Sequence, residues 1–219
     1  MKKRRISGLY AVTPETRDSA WLVAQVERAL SGGARIVQYR NKSLDRELRC
    51  RQAAHLRDLC GEHHAVLIVN DDVALALEIG ADGVHLGRDD QSPIAARSVL
   101  GTGKLIGVSC YDSLARAGEA QASGADYVAF GSFFPSSVKP QAVRASVELL
   151  REARAQLTLP IVAIGGITPD NGGALVKAGA DALAVISALF QVTDTLSAAR
   201  AFAQLFAPIH EPLSIDSDQ

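Results

Sequence analysis

Short apolar runs rich in valine and isoleucine alternate with longer amphipathic stretches along most of the chain. Runs of this kind are typical of buried parallel strands, and the stretches between them repeat with the helical period. We count eight strand–helix units, with predicted strands at residues 6–13, 35–40, 66–70, 83–86, 105–109, 127–131, 161–165 and 182–186. The pattern predicts an α/β protein built on a parallel sheet.

A repeated motif supports this count. Gly-Ala-Asp stands before predicted strands 4, 6 and 8, at residues 80–82, 124–126 and 179–181, and Gly-Ala-Arg at 33–35 is a weaker copy before strand 2. Glycine can end a helix in the left-handed conformation, alanine lets the helix pack closely on the sheet, and the charged residue marks the solvated edge. The recurrence predicts a closed (βα)8 TIM barrel, with an open, six-stranded doubly wound sheet as the alternative.

Charge and domain organisation narrow the function classes. The chain has 219 residues, and 23 lysines and arginines against 24 aspartates and glutamates give a formal net charge of −1. This near-neutrality argues against a nucleic-acid-binding protein. Because no linker divides the chain, we predict one barrel domain over residues 1–209 and a polar, flexible tail over 210–219. Nothing in the pattern indicates an oligomeric state.

The cysteines and the apolar segments bear on location. Cys50, Cys60 and Cys110 are too few and too scattered for a disulfide framework or a metal motif. The basic N-terminus lacks the apolar run of a signal peptide, and no stretch approaches the ~18 apolar residues of a membrane span. We therefore predict a cytoplasmic protein with no membrane partner.

The ends of the predicted strands carry the candidate chemistry, since TIM-barrel active sites lie at the carboxyl ends of the strands. Gln38, Arg40 and Lys42 occupy alternate positions at the end of strand 2, so they share one face. Lys139 lies in the long loop after strand 6, over residues 131–143. Together Arg40, Lys42 and Lys139 predict a site for an anion such as phosphate, and solvated surface charges are the alternative.

Two carboxylates follow strands 3 and 4. Asp71 and Asp90 suit Mg²⁺, which takes one or two carboxylates and fills its remaining positions with water and phosphate oxygens. The alternative is that they cap the following helices, a role that Asp72 and Asp89 could fill equally well.

Glycines follow strand 7. Gly165 and Gly166, before a helix that opens at Thr168, leave backbone N–H groups able to meet a phosphate, and Ser187 after strand 8 could complete the cradle. A plain tight turn is the alternative. Inside strand 4 we predict that His85 is a hydrogen-bonded core residue, with a catalytic base as the alternative, and that Cys110 is a small buried side chain.

Taken together, these strand ends resemble one family, thiamine-phosphate synthase, from Leu9 to about Phe206. The motifs that carry the resemblance are Val37-Gln38-Tyr39-Arg40-Asn41-Lys42, Asn70-Asp71, Gly83-Val84-His85-Leu86-Gly87 with Asp90, Ile106-Gly107-Val108-Ser109, Asp126-Tyr127-Val128-Ala129-Phe130-Gly131, Phe134-Pro135-Ser136 with Lys139, Ala163-Ile164-Gly165-Gly166-Ile167 and Ile186-Ser187-Ala188. The resemblance implies that a hydroxymethylpyrimidine diphosphate and a phosphorylated thiazole are joined to give thiamine phosphate and diphosphate.

The resemblance also implies which residues bind each ligand. The residues implied to bind the pyrimidine diphosphate are Gln38, Tyr39, Arg40, Asn41, Lys42, Asn70, Ser109 and Lys139. Thiazole phosphate binding falls to Ser136, Ser137, Val138, Gly166, Ile186 and Ser187, and Mg²⁺ binding to Asp71 and Asp90. The family's loop often reads Thr-x-Thr-Lys, whereas here Val138 replaces the second threonine.

Three other functions remain open from the sequence. A thiazole tautomerase is a related barrel that binds similar ligands and needs no metal, but Asn70, Asp71, Asp90 and Lys139 favour the synthase. A non-catalytic phosphate-ligand binder would show binding without turnover. A sugar-phosphate isomerase or aldolase would need an acid–base pair or a Schiff-base lysine inside the barrel, and none is evident.

Overall fold

Eight parallel strands close into a barrel in chain order in the computed structural model, which describes residues 6–135 and 143–207. The strands are β1 (Gly8–Val12), β2 (Ile36–Tyr39), β3 (Val66–Asn70), β4 (Gly83–Leu86), β5 (Leu105–Tyr111), β6 (Tyr127–Phe130), β7 (Ile161–Ile164) and β8 (Ala182–Val185). Strand β1 pairs with both β2 and β8, which closes the sheet. The predicted TIM barrel is confirmed, and the open doubly wound sheet is excluded.

Helices connect the strands and cover the outside of the barrel. They are α1 (Ser19–Ser31), α2 (Arg46–Glu62), α3 (Val73–Glu78), α4 (Pro93–Leu100), α5 (Leu114–Ala122), α6 (Val147–Gln156), α7 (Pro169–Lys177), α8 (Ser187–Phe190) and α9 (Thr195–Gln204). None of the helices within the described ranges is long and apolar enough to cross a membrane. The predicted tail at 210–219 lies outside the described residues.

The repeated motif forms the turn between helix and strand. Its glycines Gly33, Gly80, Gly124 and Gly179 all have positive φ, as predicted. The aspartates after three of them do more than mark a solvated edge. Their carboxylates accept hydrogen bonds from backbone N–H groups at the start of the preceding strand. Asp82 accepts from Leu67, Asp126 from Ile106 and Asp181 from Ile161. The repeat therefore ties neighbouring strands together at the amino-terminal end of the barrel.

Strand alternation divides the core into two layers. Side chains such as Leu9 and Val37 face outward and pack between the sheet and the helices. Side chains such as Tyr10, Ile68 and Tyr127 face inward and fill the barrel. Each fully buried aliphatic side chain contributes about 1.5–3 kcal/mol, so these layers account for most of the stability. The inner layer also contains buried polar groups, and these lie toward the carboxyl ends of the strands.

Candidate active site

A cavity of about 190 Å³ opens at the carboxyl ends of the strands and is lined by residues from all eight of them. The lining residues include Tyr10, Gln38, Arg40, Asn70, His85, Ser109, Tyr111, Ser132, Ile164, Gly165, Ala184 and Ile186. The cavity therefore lies where a TIM barrel carries its chemistry. It brings together Gln38, Arg40, Asn70 and Ser109 from the predicted pyrimidine diphosphate set.

Strand parity divides the residues of the β2 end between two environments. Gln38 and Arg40 line the cavity, and the backbone N–H of Arg40 donates to Thr13 Oγ1 at 2.9 Å. Tyr39 faces the other way, because its hydroxyl donates to Gln52 of α2 at 2.9 Å.

Asn41 also donates to the Gln52 side chain, at 3.0 Å. That Tyr39 and Asn41 bind the pyrimidine diphosphate stays a prediction, but both side chains bond to Gln52 and neither lines the cavity. Successive residues of an extended chain point to opposite faces, so only alternate members of the motif can enter the cavity.

Asp71 and Asp90 form a carboxylate pair at the rim. Burial, and then the neighbouring carboxylate of Asp90, raise the pKa of Asp71 to about 6, while the charge of Lys42 lowers it. Asp71 has a φ of 64°, which is uncommon for a residue other than glycine, and its N–H donates to the His85 carbonyl at 2.8 Å. The Asp90 carboxylate accepts the Gly87 N–H at 2.6 Å. Backbone bonds from the β4 end therefore hold both residues beside each other.

Neither carboxylate caps a helix. Asp72 caps α3 by accepting the Leu75 N–H at 2.9 Å, and Ser92 caps α4 by accepting the Ala95 N–H at 3.2 Å. The capping alternative is thus wrong for Asp71 and Asp90, and Asp89 is not the cap of α4 either. A like-charged pair that stabilises no helix terminus is unfavourable by itself, and a cation between the two carboxylates would offset their repulsion.

The donor set fits a hard cation. Two carboxylates suit Mg²⁺, whose other ligands are waters and phosphate oxygens. No group of three or more histidine, cysteine, aspartate or glutamate side chains within residues 6–135 and 143–207 could hold a metal. The pair therefore fits an ion shared with a phosphorylated ligand better than one enclosed by the protein.

A second cavity, of about 370 Å³, lies beside the first at the ends of β7 and β8. Gly166, Ile186 and Ser187 line it, as the phosphate-cradle prediction requires. Gly166 has a φ of 64°, and a Cβ there would lie 2.3 Å from the Pro135 carbonyl oxygen. The Ser187 Oγ is buried and has no hydrogen-bond partner among the described residues. A buried hydroxyl of this kind is a donor that an acceptor atom of a ligand could use.

The two cavities share a wall. Ile164, Gly165, Ala184 and Ile186 line both of them. Two ligands bound in these cavities would therefore meet across a small apolar boundary at the end of β7 and β8.

The loop after β6 lies at the junction of the two cavities. Its flanks bond to each other, since Ser132 N–H donates to the Val143 carbonyl at 2.9 Å and Ala145 N–H donates to that of Ser132 at 3.0 Å. The predicted ligand residues Ser136, Ser137, Val138 and Lys139 lie outside the described residues.

Two interior residues match the sequence predictions. His85 is buried and hydrogen-bonded on both ring nitrogens, to Tyr127 and to Ser109. Cys110 is fully buried, and burial raises the pKa of its thiol to about 12.

The sequence reasoning missed Tyr10, Tyr111 and Ser132 as cavity residues. Tyr10 could have been predicted as a cavity residue, because strand alternation along β1 points its side chain into the barrel. Tyr111 could not, because β5 runs two residues beyond its predicted end and its register with β6 shifts between Ser109 and Tyr111.

Comparison with known proteins identifies the family. A family model described as thiamine monophosphate synthase matches residues 9–189. The thiamine-phosphate synthase of Azoarcus sp. strain BH72 is 59% identical over 93% of this chain and 98% of its own length. That of Thiobacillus denitrificans is 56% identical over 91% and 95% of the two chains.

The fold agrees with this match. The solved structure of thiamine phosphate pyrophosphorylase from Pyrococcus furiosus superposes with a TM-score of 0.82 and 36% identity, covering 90% of this chain and 94% of the other. Sequence similarity, fold and the cavities at the strand ends agree, and the chain belongs to the thiamine-phosphate synthase family.

Proposed function

We propose that this chain couples 4-amino-2-methyl-5-hydroxymethylpyrimidine diphosphate to 4-methyl-5-(2-phosphoethyl)thiazole, or to its carboxylated form, in a Mg²⁺-dependent reaction that yields thiamine phosphate and diphosphate. The observation that carries the proposal is the pair of adjoining cavities. One lies beside cations and a carboxylate pair, and the other is lined by glycines and a serine hydroxyl that has no partner among the described residues. A transferase that joins two phosphorylated molecules needs two such sites in contact.

The first cavity suits the pyrimidine diphosphate. The half-buried guanidinium of Arg40 and the ammonium of Lys42 supply positive charge at its rim, and Asn70 and Ser109 offer polar groups within it. Lys139 is proposed as a third cation. A Mg²⁺ ion held by Asp71 and Asp90 would neutralise part of the diphosphate charge and make it a better leaving group.

The second cavity suits the thiazole phosphate. A phosphate monoester can accept hydrogen bonds from the backbone N–H groups at Gly166 and after Ile186 and from the Ser187 hydroxyl. Ser136, Ser137 and Val138 are proposed to contribute from the loop. The thiazole ring would then lie against the shared wall, with its nitrogen toward the pyrimidine.

The chain's residues act by position and charge. The methylene carbon–oxygen bond of the pyrimidine diphosphate breaks, and its electron pair leaves with the diphosphate. The aminopyrimidine ring stabilises the cation that remains, and the thiazole nitrogen donates the pair that forms the new carbon–nitrogen bond. Fixed cations that stabilise the departing charge are expected to be the largest catalytic contribution, and alignment of the nitrogen the second. No protein nucleophile is needed.

The test is turnover of the purified protein with both substrates, with and without Mg²⁺, following thiamine phosphate and diphosphate together. We expect both products in equal amounts, only when the metal and both substrates are present. The matched pair Asp71→Asn and Asp89→Asn removes one charge at the rim in each case, and only the first should abolish the metal response. Binding of the thiazole phosphate without coupling would point to a tautomerase or a non-catalytic binder instead.

We further propose that the protein works in the cytoplasm on small phosphorylated molecules, without a nucleic-acid or membrane partner. The near-neutral charge and the scattered free cysteines support this.

A further inference from the structure

Five polar side chains form one continuous hydrogen-bond chain across the inside of the barrel. Gln38 Nε2 donates to the Tyr10 hydroxyl at 2.8 Å, and the Tyr10 and Tyr127 hydroxyl oxygens lie 2.9 Å apart. The Tyr127 hydroxyl lies 3.1 Å from His85 Nδ1, and His85 Nε2 lies 2.9 Å from Ser109 Oγ. The chain joins β2, β1, β6, β4 and β5, and both of its ends line the first cavity.

Burial keeps the three middle members neutral. Tyr10 and Tyr127 are 1% and 0% exposed, and this burial raises the pKa of both phenols above their ordinary value. His85 is 7% exposed and both of its ring nitrogens lie within hydrogen-bond distance of hydroxyl groups, an environment that favours the neutral ring. Each hydroxyl therefore has one proton to donate, and the imidazole has one N–H.

The amide at one end favours one direction along the chain. With Gln38 donating through its nitrogen, every buried proton of the chain has an acceptor within it when Tyr10 donates to Tyr127. In that arrangement Tyr127 donates to Nδ1 of His85. The single N–H of the imidazole is left on Nε2.

From Nε2 the direction continues to the cavity. In the same arrangement His85 donates this N–H to Ser109 Oγ, which leaves the serine proton for a ligand. At the opposite end, the Gln38 amide uses its nitrogen inward, and its oxygen is the atom left to accept from a ligand. An acceptor and a donor therefore face the same cavity at fixed places.

The barrel is shaped to hold this chain. Gly107 of β5 stands beside Tyr127, and a Cβ at this position would lie 2.0 Å from Tyr127 Cζ. Any other residue at 107 would displace the phenol that links the two halves of the chain. The rings of Tyr10 and Tyr127 also pack together, with centroids 6.2 Å apart.

We propose that this one-way chain makes Tyr10, Tyr127 and His85 positioning residues, which present the Gln38 oxygen to the amino group of the aminopyrimidine and the Ser109 hydroxyl to the diphosphate. The proposal rests on the proposed function for the identity of the ligand. The direction of the chain does not, since it concerns the protein without a ligand.

The direction is measured in the full-length protein without substrate. In ¹⁵N-histidine spectra, the His85 signals are identified as those that remain when the other four histidines, His55, His63, His64 and His210, are replaced by glutamine. We expect its proton on Nε2, and we expect Tyr127→Phe to move the Nδ1 resonance toward that of a free imine nitrogen. Thr195→Val is the matched control, because it removes a buried hydroxyl bonded to Gln25 on the outer layer and should leave this spectrum unchanged. A proton on Nδ1 in the unsubstituted protein would overturn the proposed direction.

The ligand side is tested with Tyr10→Phe, which frees the Gln38 amide to rotate. We expect the ratio of kcat/KM for the 4-amino substrate over its 4-oxo analogue to fall about tenfold, the size typical for loss of an outer support. Thr195→Val should keep the ratio, whatever its effect on thermal stability. An unchanged ratio in an active Tyr10→Phe enzyme would overturn the positioning role. Absence of any turnover in the unsubstituted protein would instead refute the proposed function, and the spectra would still decide the direction.

Discussion

The two cavities at the mouth of the barrel are built by different means. The first is flanked by side-chain charges from β2 to β4, namely Arg40, Lys42, Asp71 and Asp90. Among the described residues that line the second, none is charged, and backbone groups at glycines and one serine hydroxyl face it. A diphosphate that leaves during the reaction gains charge at one oxygen, so its site needs strong fixed charges. A phosphate monoester that stays unchanged needs only to be held.

This contrast predicts that charge substitutions damage the first site, whereas steric substitutions damage the second. The largest effect is expected for Asp71→Asn, with a loss of turnover on the order of 100-fold or more, because the proposed metal ion would no longer be held beside the leaving group. Turnover at saturating Mg²⁺ is the measurement, with Asp89→Asn as the control that keeps near-normal activity. Near-normal turnover of Asp71→Asn would remove Asp71 from the metal site.

The second site is sensitive to volume. Gly166→Ala should lower turnover by roughly 10- to 100-fold, since its Cβ would lie 2.3 Å from the Pro135 oxygen and displace the cradle. The left-handed conformation adds about 1–2 kcal/mol of destabilisation. Steady-state kinetics and urea unfolding check both effects.

Gly80→Ala separates strain from the clash at Gly166. Gly80 has a φ of 70°, similar to that of Gly166, and a Cβ there would have nothing within 4 Å. The residue lies at the opposite end of the barrel. It should lose similar stability and keep its kinetics. Equal turnover losses in the two variants would contradict a specific role for Gly166.

A smaller effect is expected for Ser187→Ala. The KM for the thiazole phosphate should rise about tenfold, which corresponds to one lost hydrogen bond to a charged group. The free energy of unfolding should not fall, because the buried Oγ has no partner among the described residues. Thr195→Val, whose hydroxyl bonds to Gln25 at 2.7 Å, should lose about 1 kcal/mol by the same unfolding measurement. A loss of stability in Ser187→Ala equal to that of Thr195→Val would assign the serine a structural role.

The smallest effect concerns pH. The pKa of Asp71 is raised from 3.8 to about 6, so the folded protein binds more protons than the unfolded chain between these values. Stability from this group is therefore present at low pH and is lost as pH rises through about 6. Relative to Asp71→Asn, the unsubstituted protein should lose about 1–2 kcal/mol over this range, after allowance for the partial exposure of the carboxylate.

Urea unfolding of both proteins across this pH range measures the difference, and Mg²⁺ should reduce it. A difference that does not change with pH would show that the carboxylate pair is not strained.

Several features of the fold could be predicted from the order of residues. The apolar runs located all eight strands, and the Gly-Ala-Asp repeat indicated the closed barrel, since both depend on local spacing. Parity along β2 placed Gln38 and Arg40 together in the cavity. The same parity argument, applied to Tyr39 and Asn41, would have excluded their side chains from the cavity.

Other features depend on distant parts of the chain. Whether Asp71 or Asp72 caps α3 depends on the turn after β3, where Asp71 adopts a positive φ and bonds to the His85 carbonyl. The chain of Gln38, Tyr10, Tyr127, His85 and Ser109 joins five strands.

The sequence by itself therefore determined the elements, the closure of the barrel and the place of Gln38 and Arg40 in the cavity, because these follow from hydrophobic period and strand parity. Only the tertiary structure decided which carboxylates pair, which hydroxyl has no partner among the described residues and which polar side chains join inside the barrel. These depend on distances between strands that no local pattern records.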